Sequence, residues 1–139
     1  MKSNAFKVLI TSFLLSTQLL SGQKLSEWRA ESRTGVSAET GLLNAWPEEG
    51  PELIWQNLDL PKGFSSMSFD ENSVYVTGIE NDMDVIVALD NQGHIKWKTP
   101  FGRAWTDSFS DSRSTPTIKE GMAYLASGFG DLACVDVSD

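Results

Sequence analysis

The sequence predicts an all-β fold assembled from repeated four-stranded antiparallel sheets. Two observations predict it: short alternating segments punctuated by turn residues stand in place of any helical periodicity, and one of these segments occurs twice. Ser65–Gly78 (SSMSFDENSVYVTG) aligns with Ser114–Gly128 (STPTIKEGMAYLASG), pairing Phe69 with Ile118, Tyr75 with Tyr124 and Val76 with Leu125. A second phrase, Val87–Trp97, reads as two strands joined by a tight turn and closed by a tryptophan, and it starts again at Cys134-Val135-Asp136. The tyrosines stand 49 residues apart and the tryptophans Trp55 and Trp97 42 apart, with loops absorbing the difference. A period in the forties built only of short strands is that of a β-propeller blade.

In chain order, residues 1–22 read as a secretory signal peptide: Lys2 and Lys7 precede an apolar run from Val8 to Leu20, followed by Ser21-Gly22-Gln23. The run of 13 residues is shorter than the roughly 20 that span a bilayer, so no stable membrane span is expected. Position 23 is glutamine, which offers no thiol to acylate, so no lipid anchor is expected either. Residues 23–51 form a lead-in segment in which Trp28, Leu42, Leu43 and Trp46 are expected to pack along the blades, with one helical turn at 38–43.

Residues 52–139 are read as incomplete propeller repeats. A first strand is expected at Glu52–Gln56. One full blade, about 64–99, follows with strands at Ser65–Phe69, Ser73–Gly78, Val85–Asp90 and His94–Thr99. A partial blade, about 114–139, holds strands at Ser114–Ile118, Met122–Ser127 and Asp131–Val135. Asp70-Glu71-Asn72, Asn91-Gln92-Gly93 and Lys119-Glu120-Gly121 carry the turn residues between them. Propellers close with about four to eight blades, so the chain is expected to be an N-terminal fragment holding about two, with open strand edges that predict poor solubility.

Without residues 1–22 the chain carries nine Lys and Arg against 19 Asp and Glu, a net charge of −10. An acidic surface disfavours nucleic acid or an anionic membrane as partner. Cys134 is the single cysteine; it has no intramolecular disulfide partner, and on an apolar strand it reads as a small buried hydrophobe.

The segment from Trp28 to the end resembles secreted propellers built from pyrroloquinoline-quinone-type (PQQ-like) repeats, whose blades carry an Ala-x-Asp-x-x-x-Gly-x-x-x-Trp docking phrase. Ala88, Asp90, Gly93 and Trp97 match it, with the loop one residue shorter before the glycine. The lead-in Trp28-Arg29-Ala30, Thr34–Leu43 and Trp46-Pro47, with the loop Ser112–Thr117, is similar to a subgroup common in environmental bacteria; Ala30-Glu31-Ser32 departs from its usual Gly-Pro-Asn at a surface turn. The resemblance implies a quinoprotein dehydrogenase-like propeller exported to the periplasm or beyond. It implies a structural, blade-docking role for the four matching residues, because a tryptophan on the outer strand contributes on the order of 2 to 3 kcal/mol when buried against a neighbour. It does not by itself imply bound quinone.

No catalytic, cofactor-binding or metal-binding residue is assigned. Quinoprotein dehydrogenases of this fold use PQQ, calcium and often a vicinal disulfide, and no Cys-Cys pair occurs here. Glu80–Asp84 offers oxygen ligands without the glycine-centred spacing of an EF-hand loop and reads as a solvated hairpin tip. His94 has no hydrolase or metalloprotease context and reads as a solvent-facing strand residue. In the long link Phe101–Arg113, the residues Arg103, Trp105 and Arg113 are the candidate ligand-facing set; the competing reading has Trp105 capping the core and the arginines pairing with nearby aspartates. The expected function is a non-catalytic scaffold binding a protein or polymer, and the rival is a periplasmic PQQ-dependent oxidoreductase acting on an alcohol or sugar.

Overall fold

The computed structural model describes residues 27–36 and 40–138. The expected signal peptide lies outside them, and so do residues 38 and 39 of the expected helical turn, whose described residues, 40–43, are not helical. Among the described residues no helix is long and apolar enough to cross a membrane, and helical backbone is confined to one 3-10 turn at Glu31–Arg33. That turn is held by Glu27, whose carboxylate accepts from the Ser32 N–H at 3.0 Å and from Arg33 Nε at 3.1 Å.

Seven strands form two antiparallel sheets. β1 (Ser68–Phe69), β2 (Val74–Glu80), β3 (Met83–Leu89) and β4 (Ile95–Arg103) make the first, in the order β1-β2-β3-β4. β5 (Thr117–Lys119), β6 (Met122–Ala126) and β7 (Leu132–Asp136) make the second, in the order β5-β6-β7. Both are meanders, because each turn is too short to do anything but return the chain beside itself. Asn81 and Asp82 take φ of 52° and 62°, and Glu120 and Gly121 take 52° and 77°. Two consecutive positive φ values give the turn whose twist matches that of paired strands.

The strand register matches the internal repeat residue for residue. Ser68 faces Tyr75 and Tyr75 faces Ala88 in the first sheet; Thr117 faces Tyr124 and Tyr124 faces Cys134 in the second. β4 runs past the expected end at Thr99 through Pro100 to Arg103. Proline has no N–H for a ladder, yet β4 is an edge strand and its register shifts between Asp84 and Val85, opposite the proline, which is where a sheet tolerates one.

The sheets pack face to face. Tyr75, Ile86, Ala88 and Phe101 from the first and Ile118, Ala123 and Leu125 from the second form one buried cluster, with Trp97, Ala133, Val135 and Val137 packed against it. On the far face of the first sheet, Val85, Val87 and Leu89 are covered by Leu60 and flanking strand residues. The far face of the second sheet is open, and Tyr124, Leu132 and Cys134 lie on it exposed.

Three expectations are corrected. Glu52–Gln56 forms no strand; Leu53 and Ile54 are exposed, and Trp55 instead lies on the Gly93 turn. Trp28, Leu42, Leu43 and Trp46 are exposed rather than packed along the sheets. Cys134 is exposed rather than buried because alternation puts it on the far face of β7, beside Tyr124, while Ala133 and Val135 take the inner face.

Candidate functional site

The four residues of the repeated phrase lie at the β3–β4 hairpin. Asp90 Oδ1 accepts from the N–H groups of Gln92 and His94, both at 2.9 Å, and Oδ2 lies 3.0 Å from His94 Nδ1. These bonds, the His94 backbone contact foremost, hold the Asp90 carboxyl below the ordinary carboxylate range. Asp70 and Asp136 repeat the device, each accepting backbone N–H groups two residues on.

Gly93 adopts φ +84°, and a Cβ there would lie 2.8 Å from Trp55 Cδ2, so the indole occupies space that only glycine leaves free. Asn57 Nδ2 ties the same segment down by donating to the Gly93 carbonyl at 2.7 Å. Ala88 is fully buried opposite Trp97, whose ring stands 6.2 Å from that of Tyr75 and packs on the cluster between the sheets. The Trp97 Nε1 is buried with no partner among the described residues. His94 is exposed.

The loop residues stand at the opposite end of the strands, since Met83 pairs with Arg103 and Leu89 with Ile95. The link from β4 to β5 starts at Ala104, whose N–H donates to the Asp82 carbonyl at 3.0 Å. Its far end is stitched to β2 and to the segment before β1: Phe64 N–H donates to Ser112 O at 2.7 Å, Thr77 Oγ1 donates to Ser114 O at 2.8 Å, and Ser112 Oγ donates to Thr77 Oγ1 at 3.0 Å. Thr77 and Ser112 are buried, so these bonds satisfy groups that would otherwise be costly.

Between that loop and the two sheets lies a cavity of about 320 Å³, bordered by Asp84, Trp105, Asp111, Ser112, Arg113, Ser114 and Ser127. Arg113 also borders a second hollow of about 440 Å³ together with Trp28, Arg33 and Phe64. Trp105 does not cap the core: it is 38% exposed, its ring lies tilted against that of Phe129 with centroids 5.4 Å apart, and it donates from Nε1 to Ser108 Oγ at 3.2 Å. Arg103 lies outside the cavity, its guanidinium 3.9 Å above the Phe129 ring. Arg113 donates to the Phe109 carbonyl and sits 5.8 Å from that ring. Neither arginine forms an ion pair among the described residues, so the aspartate pairing expected as the competing reading does not form.

Asp84 is the residue that sequence reasoning missed. Glu80, Asn81 and Asp82 are exposed as a hairpin tip, but Asp84 is 2% exposed on β3. Its Oδ2 accepts the Gly128 N–H at 2.7 Å, bridging the sheets, and its Oδ1 has no partner among the described residues. The signal available was parity: Asp84 shares a face with Ile86 and Ala88, and a strand begun at Met83 instead of Val85 turns it inward. Among the described residues no three His, Cys, Asp or Glu side chains converge as a metal cluster.

No protein-family model matches the chain, and no curated protein matches it closely enough to count as a relative.

Proposed function

We propose that the chain is part of an exported β-propeller of PQQ-like repeats that serves as a non-catalytic binding scaffold. The observation that carries this reading is the way the two sheets stack. The second sheet covers the Tyr75 face of the first, and it turns the register-equivalent face, that of Tyr124, outward. A stack that presents at its end the same face that it buries within is one that further sheets of the same kind extend, which is how blades are arranged in a ring. The Ala88-Asp90-Gly93-Trp97 phrase supports the family resemblance, with the aspartate and glycine closing the turn and the tryptophan packing between sheets.

The β4–β5 loop is held at both ends, by the Asp82 carbonyl at one and by the Phe64 N–H and the Thr77 hydroxyl at the other, and a loop positioned by a scaffold is a usual binding segment. The test begins with the coding frame beyond the codon for Asp139, where further Asp-Gly-Trp repeats are expected. The product of that frame is then incubated with PQQ and calcium. A protein that takes up no quinone by visible absorbance and oxidises no alcohol or sugar with an artificial acceptor is the scaffold. Bound quinone with turnover makes it the oxidoreductase, and a stop codon directly after Asp139 sinks the single-chain propeller.

A further inference from the structure

The cavity between the sheets brings together groups that no single ionic ligand satisfies. Asp84 and Asp111 disfavour an anion, and the Arg113 guanidinium disfavours a divalent cation, which in any case takes about six to eight oxygen ligands, several of them carboxylates. The remaining lining includes three serines and one aromatic residue, Trp105. Carboxylates and serine hydroxyls accept hydrogen bonds, the guanidinium donates them, and the half-exposed Trp105 offers an apolar surface. A volume of about 320 Å³ lies at the lower end of the roughly 300–1,000 Å³ range of small-ligand sites.

The feature that points to a ligand is the Asp84 carboxylate. One oxygen is engaged by the Gly128 N–H, while the other is sealed from water and without a partner, although the residue borders the cavity. A buried acceptor left without a donor is unfavourable, more so when it is charged. Rotation about the Cβ–Cγ bond is soft, because sp³–sp² torsions are broad. The two oxygens swing together about that bond, so only a small swing keeps Oδ2 within reach of the Gly128 N–H while it opens Oδ1 to a donor arriving in the cavity.

We propose that this cavity binds a single neutral hexopyranose unit, with Asp84 accepting a ring hydroxyl, Arg113 donating to another ring oxygen and Trp105 lying against the C–H face of the sugar. The inference deepens the scaffold reading and rests on it, naming a glycan as the polymer the scaffold holds.

The probes are the methyl glycosides of glucose, galactose and mannose, titrated into the full chain by calorimetry and by thermal melting, with calcium chloride alone as a parallel titrant. At least one glycoside is expected to bind saturably and raise the melting temperature. Asp84→Asn keeps an acceptor for Gly128 but presents an amide donor where the acceptor stood, and it is expected to weaken binding about tenfold or more. Trp105→Ala removes only a half-exposed ring, so the fold tolerates it, and it is expected to weaken binding by about tenfold as well. The inference is overturned if none of the three glycosides binds the folded chain, if calcium alone binds in their place, or if binding persists unchanged in Trp105→Ala. Absence of sugar binding leaves the scaffold reading standing, whereas quinone uptake removes the scaffold reading whatever the sugars do.

Discussion

Tyr75 and Tyr124 occupy the same register position in successive hairpins, yet Tyr75 is 1% exposed and Tyr124 is 45% exposed. The difference is made by packing alone. The second sheet lies over Tyr75 and presses Ile118, Ala123 and Leu125 against its neighbours, while nothing among the described residues covers Tyr124. Tyr75 also donates to Asp70 Oδ2 at 2.8 Å. Tyr75→Phe keeps the ring and loses this bond, so it should cost about 0.5–1.5 kcal/mol. Tyr124→Phe should stay within about 0.5 kcal/mol of the parent. Urea denaturation of both variants measures the contrast, and equal costs would contradict the packing described.

The same tyrosine controls the alkaline limit. Burial, with the neighbouring Asp70 carboxylate adding to it, pushes the Tyr75 hydroxyl up to about 12 from 10.0. A phenol whose folded value is raised contributes stability that is complete below the unfolded value of 10 and is lost as pH rises from there through about 12. Melting temperature should therefore fall between those values, and the fall should be shallower in Tyr75→Phe.

At acid pH the turn aspartates act in the opposite sense. Backbone bonding to His94 at Asp90, and hydroxyl and backbone bonding to Ser138 at Asp136, hold both carboxyls below their usual 3.8. A depressed folded value contributes stability that is present above 3.8 and lost as pH falls through the folded value. Asp90→Asn keeps the acceptor oxygen without the titration, so its melting curve should be less steep in pH below 3.8 than that of the parent. Parallel curves would show that the Asp90 turn does not sense protonation.

Trp97→Ala should destabilise by about 2–3 kcal/mol, because it empties the contact between the sheets. Trp97→Phe should cost less, since it retains much of the ring and removes the buried Nε1 that has no partner. Gly93→Ala should also destabilise, by more than about 1 kcal/mol, because the added methyl meets Trp55 and the φ of +84° is unfavourable for alanine. Its diagnostic is a change in indole fluorescence that Trp55→Phe abolishes.

The open face of the second sheet is an association hazard. Leu132 is 86% exposed beside Tyr124 and Cys134, and an uncovered apolar sheet face invites pairing with other chains. Leu132→Lys should raise the soluble yield and leave the melting temperature of the soluble fraction unchanged. A drop in melting temperature would show that Leu132 packs against something in the folded chain.

What the sequence determined by itself was local. Alternation, positive-φ turn residues and the repeated segment placed the strands from β1 to β7 and paired Phe69 with Ile118 and Tyr75 with Tyr124, because each follows from chain geometry within a hairpin. Tertiary structure decided which faces were covered. It left Leu53 and Ile54 without strand partners, and it exposed Cys134 by the parity of β7. It also carried β4 past Pro100 to bring Arg103 and Trp105 beside Phe129. Above all it buried Asp84, whose environment is set by Gly128 from a strand connection 44 residues away. Hydrophobic pattern fixes a side chain's parity, but only the docking of one sheet on another determines whether that parity means solvent, core or the wall of a cavity.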